Sequence, residues 1–348
     1  MIELRNDSLL FSFPKVHPNA KLRIALQRTL RIPDEDKSYP LPPGLGEFPV
    51  RHVDDFAERV PAKWLAHGGV CVPMHQAEAL WLQFDCSHVM DREAAYPFAI
   101  KVATGKIDAV TGEGWRPGVH TGPQDYMVAP EQPWLDGYCV ENGLIRQFVA
   151  MPLGSGYSAE EQITGTAEHG GLQIVAYPMK REVFERRFPK IPPRVHSMRK
   201  GGPEMAMAPM PCAPMSADME MGLAPGGRMT QEIYEDPFEL SDWDTEHGSR
   251  VFVHIANSMV WRALTGEAPP TVPPTAREYT DAGLPWFDWY AEAPAVEGGG
   301  RLKGLKSILQ IGKAKGDVPL PENETVSPEH VVRLRQGLGK DQVREGSF

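Results

Sequence analysis

The run YCVENGLIRQFVAMP, residues 138–152, holds two β-rich stretches about Asn142-Gly143. Asn-Gly between apolar runs is a strong hairpin signal, because both central positions of a type I′ turn need positive φ. Upstream, YPFAIKVATGKIDAVTGE (96–113) has the same plan about Thr104-Gly105, and QITGTAEHGGLQIVAYP (162–178) has it about Gly170-Gly171. LLFSF (9–13) and LRIALQRTLRI (22–32) are placed to pair across PKVHPNAK, and Leu80, Leu82 and Phe84 alternate as in a strand. Several short strands at this spacing predict a mainly β fold, an antiparallel sandwich or barrel with a few short helices; α+β is the alternative. VDDFAERV (53–60) and REVFERRF (181–188) are the helical candidates, both beside prolines.

Periodicity then divides the chain. Residues 1–198 read as a β-rich body and 199–229 as a Met/Pro-rich strap or linker. Residues 230–295 read as a strand–helix extension with an aromatic strap, too short to fold alone and therefore packed on the body. In it SRVFVHIANSMVWRALTG (249–266) predicts a strand running into a helix. Residues 296–348, Gly- and Lys-containing, read as a mobile tail with one weak stripe, Leu302, Leu305 and Leu309.

A formal charge of -10, with 41% hydrophobic and 24% charged residues, fits a folded chain and argues against binding the nucleic-acid backbone. The basic stretch at 180–200, with eight Lys/Arg against two Glu, reads as a solvated surface on an acidic body. The start MIELRNDSLLFSF lacks the basic-then-apolar order of a secretory signal, and no window approaches the ~18 apolar residues of a membrane span. Four scattered cysteines without a CxxC pair suit a reducing compartment, so a cytoplasmic location is expected.

Four groups of residues could carry function. Met205, Met207, Met210, Cys212 and Met215 form a thioether and thiol set of the kind that selects Cu(I), although Met also fills irregular apolar surfaces without any metal. His67, Cys71, His75, Cys86 and His88 are zinc-ligand types. On a strand, however, Cys71 and His75 stand ~13 Å apart, and core cysteines are the simpler reading. Trp134 with Asp136, Trp243 with Asp244, and Trp286 with Asp288 set aromatic rings beside carboxylates, a sugar or small-ligand surface or else clamps for straps. His169, with Glu168 beside it and Arg146 and Asp136 on neighbouring hairpins, is the candidate for hydrolytic or metal-dependent chemistry. The chain has no nucleophile elbow, HExxH, P-loop or GxGxxG, and no motif identifies a cofactor.

The segments QRTLRIPDEDKSYPLPPGLGEFP, YPFAIKVATGKIDAVTGE, QDYMVAPEQPWLDGY, IRQFVAMPLGSGYSAEEQITG, GGRMTQEIYEDP and GLPWFDWY resemble a family of uncharacterised, mostly bacterial soluble proteins. The resemblance implies that body, strap and aromatic unit belong to one architecture, and implies no activity. The leading expectation is a non-catalytic binding or assembly protein. A homo-oligomer or another protein is its partner, because exposed Met and aromatic surface needs covering. A hydrolase or metal-dependent enzyme sited near 134–170 is the alternative, and Cu(I) binding by the strap is the third.

Overall fold

Leu22, Ile24 and Leu26 alternate along the strand Lys21–Thr29, and Phe84, Leu82 and Leu80 answer them from the antiparallel strand Ala79–Cys86. That alternation puts one face of a sheet into the core and leaves the other to be covered from outside. The computed structural model describes residues 1–191, 219–290, 293–317 and 320–335. Among them a ten-stranded sheet runs through Ile2–Arg5, Ser8–Ser12, Lys21–Thr29, Ala79–Cys86, Leu144–Pro152, Met221–Thr230 and Ser38–Tyr39, with three short strands alongside. A seven-stranded sheet runs through Ile107–Asp108, Phe98–Thr104, Leu172–Pro178, Ser249–Asn257, Val70–Met74 and Arg51–His52, with Met127–Ala129 beside Phe98–Thr104.

Phe98, Ile100 and Val102 of the second sheet join Leu22, Ile24, Leu80 and Phe148 of the first in one buried core. The fold is mainly β, antiparallel-rich and open at its edges, so of the two expected architectures the sandwich is the one formed. Parallel pairs occur where Ser249–Asn257 meets Val70–Met74 and, for two residues, where Met221–Thr230 meets Ser38–Tyr39. No helix among the described residues is long and apolar enough to cross a membrane.

The expected hairpin of LLFSF with the following run forms between Ser8–Ser12 and Lys21–Thr29. The turns behave differently from expectation. The hairpin about Asn142-Gly143 forms, but only Gly143 has positive φ (71°), so its turn is not type I′, and the register slips within the strand between Cys139 and Glu141. Both central positions are positive instead at Asn6-Asp7 (45° and 55°) and Gly105-Lys106 (53° and 60°). The hairpin expected about Gly170-Gly171 is also corrected. Its first arm belongs to the helix Ala159–Thr164, started by a reciprocal cap in which Ser158 Oγ accepts from Glu161 N and the Glu161 carboxylate accepts from Ser158 N.

Met205, Met207, Met210, Cys212 and Met215 lie outside the described residues. The end of the same expected strap does not stay irregular, because Met221–Thr230 is a ten-residue strand paired along Leu144–Pro152. Gly226 and Gly227 sit at a register shift where the chain passes close to its neighbours. A Cβ on Gly227 would lie 2.4 Å from the Pro33 carbonyl oxygen. The strand–helix reading of 249–266 holds, as Ser249–Asn257 followed by Ser258–Thr265.

The segment expected to be a mobile tail is anchored through much of its length. Leu302 and Leu305 enter the main core, and Ile308 and Ile311 of the helix Ile308–Lys315 cover the outer face of the first sheet beside Val149 and Ala224. A stripe too weak to define a free helix is enough when a preformed apolar face receives it. Leu302→Ala is therefore expected to cost about 2–5 kcal/mol in urea unfolding, as for any fully buried leucine. A loss below about 0.5 kcal/mol would mean that this segment is not part of the core.

Candidate aromatic binding cleft

The short strand Trp134–Leu135 pairs with Gln83 and Leu82 of the interior strand Ala79–Cys86 of the first sheet, leaving the Trp134 indole half-buried. A strap from residue 231 onward is sewn to this short strand by buried glutamines. Gln132 Nε2 donates to the carbonyls of Trp134 (3.0 Å) and Glu232 (3.3 Å), and Gln132 Oε1 accepts from Tyr234 N (3.1 Å). Gln231 Nε2 donates to Asp136 Oδ2 (2.8 Å) and its Oε1 accepts from Asp136 N (3.0 Å). Gln124 repeats the device on Tyr234 O and Asp236 N. An amide side chain suits this role, since it offers a donor and an acceptor to two backbone groups at once.

The aromatic strand Trp286–Tyr290 completes the site. It hydrogen-bonds to Leu41 through Phe287 and runs parallel to Val331–Arg335. Trp289 lies edge-to-face with Trp134 at 4.8 Å and donates its Nε1–H to Tyr234 Oη (3.1 Å). Leu41, Trp134, Gln231, Glu232, Asp288 and Trp289 thus line a cavity of about 100 Å³. Ligand pockets for drug-sized molecules run to ~300–1,000 Å³, so this one admits a single ring or side chain. Two indoles supply an apolar surface, and two carboxylates with an amide supply the polar contacts.

The sequence-predicted ligand residues divide between this cleft and two other places. Trp134 and Asp288 line it, and Asp136 lies behind it, buried and held by Gln231. Trp286 is instead fully buried against Tyr39, with Nε1 on Thr280 Oγ1, and so clamps its strap. Trp243 is buried with Nε1 on Asp236, while Asp244 accepts from His247 Nδ1 at 2.9 Å beside a separate, shallower depression of about 470 Å³.

The hydrolytic grouping is not assembled. His169 Nε2 stands 3.7 Å from Glu168, beyond hydrogen-bond reach, and its Nδ1 is buried with no partner. Glu160 organises that turn instead, accepting from the backbone N–H of Glu168, His169 and Gly170 at 2.8–2.9 Å. Arg146 bonds Gly226 O and faces Asp34 at 3.7 Å, whereas Asp136 bonds Gln231, so the four residues serve separate partners. Nor do the zinc-type residues converge. Cys71 sits in an apolar cluster with Trp64 and Trp261, where burial pushes its thiol up to about 12. His75 bonds Pro270 O, and among the described residues no group of three or more His, Cys, Asp or Glu could hold a metal.

Several buried ionic groups were not legible in the sequence: Lys101 with Asp125 at 2.7 Å, and Arg28 with Glu78 at 2.7 Å. Lys101 follows an alternating strand pattern that reads as solvent-facing, Arg28 continues the face of Leu22, Ile24 and Leu26, and each is covered by a loop from elsewhere in the chain. No protein-family model, curated protein or solved structure matches the chain.

Burial pushes the Asp136 carboxyl up to about 7, against the lowering effect of its bond from Gln231. The folded protein therefore keeps this proton between the ordinary carboxyl range and pH 7, where the unfolded chain has lost it, and stability from this group falls as pH rises through that window. His254, pushed down to about 4 by burial, acts in the opposite sense, losing stability as pH drops below the ordinary imidazole range. Asp136→Asn keeps the acceptor for Gln231 and removes the titration. The melting temperature of the variant minus that of the wild type is expected to climb from pH 4 to pH 8, and a constant difference would show that Asp136 does not titrate in this range.

Proposed function

We propose that the protein is a non-catalytic binding protein whose ligand places one ring-sized group in the cleft beside the packed pair Trp134 and Trp289. The observation that carries the reading is the convergence of three chain segments on one small cleft: the short strand at 134, the glutamine-sewn strap at 231–232 and the aromatic strand at 288–289. Rings of this kind hold an apolar face, while Glu232, Asp288 and the Gln231 amide accept or donate hydrogen bonds at its edge. Acceptors outnumber donors and both carboxylates are acidic, so the cleft favours a neutral, hydroxyl-bearing ring over an anion. The size limit weighs against a nucleotide or other large cofactor.

An enzyme reading at His169, Glu168, Arg146 and Asp136 has no comparable support, because those residues are engaged with different partners. A side chain from a second copy of the chain meets the same size limit, which keeps self-association within the proposal.

Isothermal titration with neutral mono- and disaccharides tests the reading. Binding is expected, weakened roughly thirtyfold by Trp289→Ala, the ~2 kcal/mol of an aromatic anchor. Sedimentation velocity on the same samples reads the other arm, a dimer lost in the variant. A monomer that releases no heat with any of these sugars would overturn the proposal, as would unchanged affinity in a folded Trp289→Ala.

A further inference from the structure

The second sheet carries a group of charges unconnected with the aromatic cleft. Lys101, in the strand Phe98–Thr104, is fully buried, and its Nζ donates to Asp125 Oδ2 (2.7 Å) and to the carbonyls of Arg116 (2.8 Å) and Gly118 (3.3 Å). Asp125 is equally buried. Its Oδ1 accepts from His120 N (2.8 Å), and its Oδ2 accepts from His120 Nδ1 (2.8 Å) and faces Arg116 Nη2 at 3.5 Å. A carboxylate can only accept, so the proton of the His120 ring resides on Nδ1. Nε2, on the far side of the ring from the carboxylate, has no hydrogen-bond partner among the described residues, on a side chain 37% exposed.

The charges decide what this arrangement attracts. Lys101 already neutralises Asp125, so the half-exposed Arg116 adds a further positive charge on the carboxylate that holds His120. Only one Arg116 nitrogen faces the carboxylate, leaving other guanidinium N–H groups for an oxyanion, the geometry at which arginine excels. A ring nitrogen oriented by a buried acid, with a partly engaged guanidinium on the same carboxylate, matches what phosphoryl transfer to histidine requires.

We propose that His120 is a phosphoryl acceptor and Arg116 the group that holds the incoming phosphoryl oxygens. The donor class is a small acyl phosphate. The Nε2 lone pair attacks phosphorus, the N–P bond forms, the P–O bond to the acyl group breaks, and the carboxylate leaves with that electron pair. The ring then carries the phosphoryl group on Nε2 and its proton on Nδ1, with its positive charge against Asp125.

His247 is an internal comparison. Its Nδ1 also bonds a carboxylate, Asp244, and it is 46% exposed, but among the described residues Asp244 has no arginine or lysine ion pair. The full-length protein incubated with acetyl phosphate is expected to be labelled at His120 roughly tenfold faster than at His247, read by site-resolved mass spectrometry under alkaline conditions, with an N–P signal in the phosphorus NMR spectrum. The advantage is expected to disappear in Asp125→Asn and to fall several-fold in Arg116→Ala. Because Asp125→Asn leaves Lys101 buried without its partner, Arg116→Ala decides the matter if that variant does not fold. Equal labelling of His120 and His247, or an advantage untouched by Arg116→Ala, would overturn the proposal.

Discussion

Both sheets of this sandwich are buried on both faces, and that constraint organises everything else. The inner faces bury one another through Leu22, Ile24, Leu80, Phe98, Ile100 and Val102. The outer faces are covered by shorter pieces of chain and are still largely dry. Ile145, Met229 and Tyr39 lie under the aromatic strand on one part of the first sheet, and Val149 and Ala224 lie under Ile308–Lys315 on another. On the second sheet, Cys71 and Ala256 are covered by Trp64 and Trp261 from two short helices. An antiparallel sheet commonly leaves one face to water; here straps and short helices take the place that solvent would have.

Covering an outer face with irregular chain raises a polar problem, since a strap brings backbone groups that have no ladder to join. Buried side chains answer it in this protein. Gln124 and Gln132 bond the strap at 231–236, Gln231 of the strap bonds Asp136, Glu160 takes three consecutive N–H groups of the turn at 168–170, and Lys101 takes the carbonyls of 116 and 118. The aromatic cleft and the His120 grouping are both by-products of this arrangement. Each lies where a strap crosses a sheet and a side chain at the crossing is left partly open to solvent.

The two groupings differ in chemistry because their crossings differ. At 134 a short strand on the first sheet offers an indole and the strap offers carboxylates, so the crossing is an apolar slot with acceptors at its rim. At 101 the sheet offers a cation, and the loop can lie over it only by bringing Asp125; that acid then orients His120. A buried charge with its partner removed is far more costly than the pair, which ties the loop's position to the strand beneath it.

Local pattern was sufficient for several strands, though not for Met221–Thr230, which read as part of a strap. Alternation along 21–29, 79–86 and 98–104, the hairpin of LLFSF with its successor, and the strand–helix run at 249–265 were all legible, because a two-residue period is written into each segment by its own side chains. The aromatic and acidic residues of the cleft were legible as types, but not that Trp134 and Asp288 meet while Trp243 and Trp286 serve as clamps. Pairing across 150 residues is decided by which strap reaches which part of a sheet. The sequence also could not disclose Lys101 as a buried cation or Leu302 as a core residue, since the first depends on a loop folding back over the strand and the second on an apolar face built from other segments. Periodicity determines which residues share a face; tertiary packing alone decides whether that face meets water.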